Sequence, residues 1–178
     1  MENKSTRLKS LIRNIPDFPK KGIIFRDITT LLRDKDGFRE MIDSLTEKYR
    51  DSDVDLVASV DARGFVIGSA VAYQLGTGLV LLRKPGKLPW QTLYCEYDLE
   101  YGSNKIEIHK DAVEKGQRVL VVDDLLATGG TAAATCELVR RLGGELVGAA
   151  FVVELTYLKG RERLKGCPVF SLIKYDSE

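Results

Sequence analysis

The chain has 178 residues and a nearly balanced charge, with 27 lysines and arginines against 26 aspartates and glutamates. This balance argues against a nucleic-acid-binding surface, and the length favours one domain with a substantial core. Three widely spaced cysteines and one histidine predict neither a disulfide framework nor a metal site built from those residues. Because no apolar leader or membrane-length run occurs, we expect a reducing, cytoplasmic location.

The N-terminal segment begins with apolar residues at helical spacing, which predict a short amphipathic helix: Leu8, Leu11, Ile12 and Ile15. Residues 16–22, rich in Pro and Gly, then interrupt regular structure. Residues 23–28 are apolar except for Arg26 and Asp27, and they predict a short strand with a surface ion pair. A second amphipathic helix is predicted from Asp36, as its N-cap, to Tyr49.

Two strand–loop units follow. Residues 56–60 form a continuous apolar run typical of a buried strand, and Arg63 comes just after it, ahead of a nearly all-apolar and therefore buried helix over residues 65–75. Residues 78–82 predict a third buried element, which ends in a Pro/Gly loop with three cations, Arg83, Lys84 and Lys87. Ligands of α/β sheets bind at the carboxyl ends of strands, so both loops are candidate anion-binding positions.

An antiparallel hairpin is predicted from residues 94–98 and 105–110, with residues 99–104 as its connection. Ile106 and Ile108 alternate with charged or polar residues, so one face of the hairpin is expected to contact solvent.

The central stretch of the chain is residues 119–131. A β-branched apolar run, 119–122, predicts a strand buried on both faces, and Asp123 and Asp124 follow where it should end. Next comes a small-residue loop, composed of Ala127, Thr128, Gly129, Gly130 and Thr131, and then a helical pattern over residues 132–142. Glycines and a helix N-terminus suit a phosphate, while two carboxylates suit a vicinal diol or an associated metal. An ordinary turn with two solvated acids is the alternative, and the paired acids and threonines disfavour it.

Residues 146–153 and 168–173 predict two further strands. Strands that alternate with helices indicate an α/β fold with a doubly wound, largely parallel sheet, here with a small antiparallel hairpin lid. The carboxyl ends of its strands would bring the acids, Arg63 and the cations to one edge. Neither the P-loop pattern nor the dinucleotide-binding glycine pattern occurs.

Several motifs together resemble the adenine phosphoribosyltransferases, a group within the type I phosphoribosyltransferases. The matching segments span essentially the whole chain: 16–19, 22–27, 62–65, 83–89, 99–102, 121–131 and 153–155. The resemblance implies transfer of the 5-phosphoribosyl group of phosphoribosyl pyrophosphate (PRPP) to adenine, giving AMP and pyrophosphate in purine salvage. It also implies Mg²⁺, held mainly by PRPP near Asp123 and Asp124, and usually a homodimer, with no nucleic-acid or membrane partner.

The resemblance further assigns roles to individual residues. The loop 127–131 would hold the 5′-phosphate, Asp123 and Asp124 the ribose, and Arg63, Arg83, Lys84 and Lys87 the pyrophosphate. Phe25 would stack on adenine while the backbone of Ile24 and Arg26 pairs with its edge. It also implies an unusual peptide geometry at the turn that carries Arg63.

The catalytic acid is the assignment for which spacing gives least help. Glu96, Glu100 and Glu107 are equal candidates by position alone, and only the resemblance selects Glu100, with Tyr101 helping to close the lid. The expected organisation is a single phosphoribosyltransferase domain over residues 1–178, with a base-recognition hood segment at 1–30 and a mobile lid at 90–110.

Three other functions remain open at this point: an oxopurine phosphoribosyltransferase, a non-catalytic PRPP- or nucleotide-sensing module, and a relative of PRPP synthetase. The third would need an ATP site and about twice this length. In the first, the resemblance predicts an acid in the phosphate loop, where this chain has Ala127.

Overall fold

The structure, a computed structural model, describes residues 2–98 and 103–177. Its α-helices are α1 (Glu2–Ser10), α2 (Thr29–Arg33), α3 (Lys35–Tyr49), α4 (Arg63–Leu75) and α5 (Gly130–Arg141), and two 3₁₀ turns cover Thr156–Leu158 and Gly160–Arg163. Its strands are β1 (Arg13–Ile15), β2 (Phe25–Asp27), β3 (Leu56–Val60), β4 (Gly78–Leu82), β5 (Thr92–Asp98), β6 (Ser103–His109), β7 (Arg118–Leu126), β8 (Glu145–Leu155) and β9 (Val169–Tyr175). None of the described helices combines the length and the apolar character needed to cross a membrane.

The main sheet has five parallel strands in the order β4-β3-β7-β8-β9. The chain leaves β3 toward β4 on one side, whereas β7 leads to β8 and β9 on the other. The point where the direction reverses therefore lies between β3 and β7, and such switch points are where open α/β sheets bind ligands. The predicted α/β, largely parallel fold is confirmed.

Strand alternation divides the core into two layers. Leu120 and Val122 of β7 pack in a cluster with residues of α3 and α4, whereas Val119 and Val121 pack in a second cluster with residues of α5. Successive residues of a strand point to opposite faces, so a continuous apolar run fills both layers. Helices on both faces of the sheet make the fold doubly wound.

The predicted hairpin is confirmed as β5 and β6, which pair antiparallel from Thr92 opposite His109. Ile106 and Ile108 are buried, as the alternation predicts. The backbone of Glu107 exchanges two hydrogen bonds with Arg83, at 2.8 and 3.0 Å, which attaches the hairpin to the end of β4. The connection at residues 99–102 lies outside the described residues.

The N-terminal half of the chain corrects several predictions. Helix α1 ends at Ser10 and does not include Ile15. Ile15 lies in β1 and pairs with Phe25 of β2, and the following Pro16 favours this extended conformation. The N-cap of α3 is Asp34, whose carboxylate accepts the N–H of Gly37 at 2.7 Å, and not Asp36. Helix α2 was not predicted from the sequence.

Three predicted buried elements also differ. Helix α4 buries only one face, and Val66 and Tyr73 on its other face are exposed by 47% and 88%. Strand β4 is an edge strand that exposes Leu79 and Leu81. Strand β7 continues past the acidic pair to Leu126, because the long β8 supplies pairing partners there while β3 has already ended.

Candidate active site

A cleft of about 480 Å³ opens at the switch point of the sheet. Its walls come from the ends of β3 and β4, from the hairpin and from the β7–α5 loop. The lining residues are Val60–Arg63, Leu82–Lys84, Tyr97, Asn104–Ile106 and Asp123–Ala132. A cavity of this size and position is typical of small-molecule sites.

The small-residue loop forms the floor of the cleft. Gly129 has φ +81°, a left-handed conformation that favours glycine, and α5 begins at the next residue. The N–H groups of the first helical turn have no partner within the helix, so they can bind an anion. The predicted helix start at residue 132 is two residues late, which places Gly130 and Thr131 in the first turn.

A segment distant in sequence supports this loop from behind. A Cβ atom at Gly129 would overlap the carbonyl of Gly160, and one at Gly160 would overlap the carbonyl of Ala127. The two glycines therefore allow two backbone segments to touch. Sequence reasoning missed Gly160, because nothing local marks a contact between positions 31 residues apart.

An ion pair anchors the supporting segment. The Arg161 guanidinium donates to both carboxylate oxygens of Glu154, at 2.9 and 2.6 Å, and to the carbonyl of Val169 at 2.9 Å. Burial acts to raise the pKa of Glu154, but the hydrogen bonds and charge of Arg161, together with smaller effects of other neighbours, outweigh burial, and the pKa is lowered. An ionised, paired Glu154 holds the segment containing Gly160 against β8.

The acidic pair lies on β7 at the mouth of the cleft. Asp124 is buried, with 7% of its surface exposed, and Asp123 is partly buried and accepts the backbone N–H of Asp124 at 2.8 Å. Burial, and then the neighbouring charge of Asp124, hold the pKa of Asp123 well above its usual range. A cation or hydroxyl donors in the cleft would favour the ionised form of this carboxyl group.

Arg63 connects this acidic pair to the N-terminal segment that contains Phe25. Its Nε lies 2.5 Å from Oδ2 of Asp124, and its guanidinium carbon lies 5.2 Å from the ring centroid of Phe25. The turn before it contains a cis peptide between Asp61 and Ala62, and the resemblance implies an unusual peptide here. The next residue, Gly64, has no room for a side chain, since a Cβ there would lie 2.6 Å from Oδ1 of Asp123.

The predicted basic cluster is only partly in the cleft. Arg83 and Lys84 line it, and Nε of Arg83 lies 3.1 Å from Oδ2 of Asp61. Lys87 is not among the lining residues, and its carbonyl accepts a hydrogen bond from Arg83 at 3.2 Å.

The predicted adenine-binding residues lie beside the cleft. Phe25 packs edge-to-face on Phe18, with ring centroids 5.2 Å apart, and Ile24 precedes it on the same segment. The side chain of Arg26 turns away, with its guanidinium carbon 4.1 Å from the centroid of Tyr175. Arg26 and Asp27 therefore do not form the predicted surface ion pair, and Asp27 instead pairs with Arg13 at 2.6 Å.

The sequence interpretation missed three polar hairpin residues that line the cleft: Tyr97, Asn104 and Lys105. They come from the hairpin, whose approach to the sheet depends on tertiary packing. The hydroxyl of Tyr97 lies 3.1 Å from that of Thr131. Glu100 and Tyr101 lie outside the described residues.

Comparison with known proteins agrees with this geometry. The family described as "Phosphoribosyl transferase domain" matches residues 27–173. The adenine phosphoribosyltransferase of Acidobacterium capsulatum is 60% identical over 168 residues, covering 94% of this chain and 93% of that protein. The enzyme of Thermotoga maritima is 59% identical, with 94% and 97% covered.

Solved structures give the same relationship. Adenine phosphoribosyltransferase of Thermoanaerobacter pseudethanolicus superposes with a TM-score of 0.93 at 53% identity, covering 96% of this chain and 99% of that one. The Saccharomyces cerevisiae enzyme gives 0.91 at 40% identity, with 97% and 99% covered. The chain therefore belongs to the phosphoribosyltransferase family, within its adenine phosphoribosyltransferase branch.

Proposed function

We propose that the cleft transfers the 5-phosphoribosyl group of PRPP to adenine, forming AMP and pyrophosphate for purine salvage. The observation that carries the proposal is the joining of three subsites at the switch point: the positive-φ phosphate loop, the acidic pair and Arg63 beside Phe25. The Saccharomyces cerevisiae relative, described as complexed with an imino-altritol bisphosphate and adenine, supports the substrate assignment.

PRPP lies along the floor of the cleft. Ala127, Thr128, Gly129, Gly130 and Thr131 hold the 5′-phosphate through backbone N–H groups and hydroxyls. Asp123 and Asp124 accept the ribose hydroxyls. Their position on β7, after β3 has ended, leaves them open to the cleft and supports this role.

The pyrophosphate lies toward the cations. Arg63, Arg83 and Lys84 surround that side of the cleft, and Lys87 extends the cluster on the same loop. Positive charge there stabilises the leaving group as the bond from C1 to pyrophosphate breaks. Arg63 exchanges Asp124 for pyrophosphate, which frees Asp124 for the ribose.

Adenine stacks on Phe25 and pairs with the backbone of Ile24 and Arg26. Binding of the Arg26 side chain to Tyr175 supports this, since it fixes the strand without occupying the base site. N9 of the base attacks C1 of an oxocarbenium-like ribose, the kind of cation that glycosidases stabilise. Positioning the two reactants supplies much of the acceleration.

Glu100 is the catalytic acidic residue, whose carboxylate accepts the proton that the purine loses as N9 bonds to C1, and Tyr101 helps to cover the sugar. Both assignments rest on the resemblance of residues 99–102 to the family motif. A covered site favours adenine over water, which competes for the oxocarbenium. In this proposal residues 1–178 form a single domain, with a hood at 1–30 and a lid at 90–110.

Mg²⁺ is the proposed cofactor, held mainly by PRPP. Among the described residues no group of three or more His, Cys, Asp or Glu could hold a metal by itself. Asp123 and Asp124 nevertheless offer hard oxygen donors of the kind that Mg²⁺ uses together with substrate phosphates. The metal would neutralise charge on the departing pyrophosphate.

The active form is a homodimer located in the cytoplasm. Val66 and Tyr73 of α4 are exposed on the same face of the sheet as Leu79 and Leu81 of β4. An exposed apolar patch of this kind marks an interaction surface. The described cysteines, Cys95, Cys136 and Cys167, are all free, in keeping with a reducing compartment.

The test is nucleotide formation from PRPP and Mg²⁺ with adenine, hypoxanthine, guanine and xanthine offered separately. AMP from adenine alone is the expected result. Turnover of an oxopurine would keep the PRPP site and overturn the assignment of Phe25, Ile24 and Arg26. PRPP binding without turnover of any base would favour a sensing module.

A further inference from the structure

A polar contact joins the hairpin to the loop 127–131. Tyr97, near the end of β5, is partly buried against the apolar cluster beneath α5, and its hydroxyl reaches Thr131 Oγ1 at 3.1 Å. At the other end of the helix, Arg141 donates to the carbonyl of Tyr94 at 3.0 Å. Strand β5 therefore contacts α5 at both ends of the helix, and Tyr97 lies at its N-terminal end.

The direction of the Tyr97–Thr131 hydrogen bond matters because each hydroxyl has one proton. If Thr131 donates to Tyr97, its hydroxyl has no proton left for another acceptor. A phosphate in the loop needs donors, and a charged acceptor forms the stronger hydrogen bond. If Tyr97 donates to Thr131, the Thr131 proton is released toward the phosphate and both hydroxyls remain satisfied.

Thr131 is otherwise well fixed for this role. It lies in the first turn of α5, where its carbonyl accepts the hydroxyl of Thr135 at 2.9 Å. Both Tyr97 and Thr131 line the cleft. The Tyr97 hydroxyl is therefore the partner that decides which way the Thr131 proton points.

We infer that Tyr97 is a positioning residue for the 5′-phosphate of PRPP and of AMP. It acts through Thr131, as the second member of a hydrogen-bond relay from the hairpin to the phosphate. The inference rests on the proposed function, because it takes the loop 127–131 as the 5′-phosphate site. Hydrogen bonds in such a chain polarise one another, so removing the outer donor weakens the inner bond.

The experiment measures dissociation constants of PRPP, AMP and pyrophosphate for the wild type and for Tyr97→Phe, Thr131→Val and the double variant. Phenylalanine keeps the packing of the ring and removes only the hydroxyl. We expect Tyr97→Phe to weaken PRPP and AMP binding roughly three- to tenfold, as expected for one lost hydrogen bond. Pyrophosphate has no 5′-phosphate, so its affinity should not change.

The double-variant cycle separates the relay from independent effects. In the Thr131→Val background, Tyr97→Phe should have no further effect on PRPP affinity, because the relay is already broken. Tyr94→Phe, on the exposed part of the same strand, is the matched control and should bind all three ligands normally.

Three outcomes would overturn the inference: unchanged PRPP affinity in Tyr97→Phe, an equal loss for pyrophosphate, or full additivity with Thr131→Val. An equal loss for all ligands would mean that the hydroxyl supports the fold of the cleft in general. If the wild type forms AMP and Tyr97→Phe binds PRPP as tightly as the wild type, the relay is rejected and the proposed function stands. A wild type that binds no PRPP would reject the proposed function and the relay with it.

Discussion

Arg63 and Asp124 form an ion pair across the mouth of the cleft, with Nε of Arg63 2.5 Å from Oδ2 of Asp124. Arg63 is the first residue of α4, just after the turn that follows β3, and Asp124 is the second residue of the acidic pair on β7. Asp124 is almost fully buried, and Arg63 is the cationic partner of its carboxylate in the structure. The same guanidinium faces Phe25, so one side chain contacts both proposed substrate sites.

Replacing Arg63 should therefore impair both substrates. We expect Arg63→Met to lower kcat/KM for PRPP roughly 10- to 150-fold, the range for a lost hydrogen bond to a charged group. KM for adenine should rise as well, because Phe25 loses its cationic neighbour. Initial rates with each substrate varied would measure both effects. Arg50→Met, which removes a surface arginine paired with Glu47, is the control, and equal rates for the two variants would contradict the role.

Glu100 is tested by comparison with its neighbours in the hairpin. Glu100→Gln should lower kcat roughly 10²- to 10⁴-fold, the usual contribution of a residue in general acid–base catalysis. PRPP affinity should stay nearly intact, because the residue is proposed to act on the purine. Glu96→Gln and Glu107→Gln are matched controls, since position alone does not separate the three glutamates. A normal kcat in Glu100→Gln, or an equal loss in Glu96→Gln, would remove Glu100 from the mechanism.

The stability of the base-recognition segment should depend on pH through Asp27. Hydrogen bonds from Arg13 and from the N–H of Thr29 lower the pKa of Asp27 from 3.8 to about 2. Since the folded pKa is below the unfolded one, ionised Asp27 stabilises the fold above about pH 4, and this is lost as pH falls toward 2. The full shift corresponds to about 2.5 kcal/mol, and we expect ~1–2 because the Arg13 side chain is 57% exposed.

Urea unfolding of Asp27→Asn between pH 7 and pH 3 would measure this contribution. The variant should be less stable than the wild type at pH 7, and the difference should shrink below about pH 4. Asp51→Asn, at an exposed position, should show no such difference. If the difference in unfolding free energy between the two proteins stays constant down to pH 3, the charge of Asp27 is not the cause of the stabilisation.

Gly160 should matter for PRPP although it does not line the cleft. In Gly160→Ala the new methyl group would overlap the carbonyl of Ala127, so the phosphate loop must shift. A misplacement of this kind should lower kcat/KM for PRPP roughly 10- to 100-fold. Glu162→Ala, on the exposed side of the same 3₁₀ turn, should behave like the wild type. Unchanged PRPP kinetics in Gly160→Ala would show that the loop keeps its geometry without this support.

The proposed dimer surface predicts a change of assembly. Tyr73 is 88% exposed on α4, and a charge placed there should prevent burial of the patch. We expect Tyr73→Glu to sediment as a single chain at micromolar concentration, where the wild type sediments as two. Lys48→Glu, an exposed substitution on α3, should leave the assembly unchanged. A dimeric Tyr73→Glu would place the interface elsewhere.

The sequence by itself determined the elements whose signal is local. The apolar runs of β3 and β7 identified buried strands, and the glycines and threonines of residues 127–131 predicted a turn that suits an anion, since backbone conformation follows from neighbouring residues. Alternation of strands and helices then implied a parallel sheet with Asp123, Arg63 and Arg83 at one edge. The strand order confirms that arrangement.

Only the tertiary structure decided how segments distant in sequence meet. Three contacts depend on packing, for which no local pattern exists: Gly160 with the loop 127–131, Arg161 with Glu154, and Tyr97 with Thr131. Packing also decided that β7 continues past Asp123, because β8 extends to pair with it. Local propensity fixes the elements, whereas the side chains that face one another are set by the burial of two apolar layers.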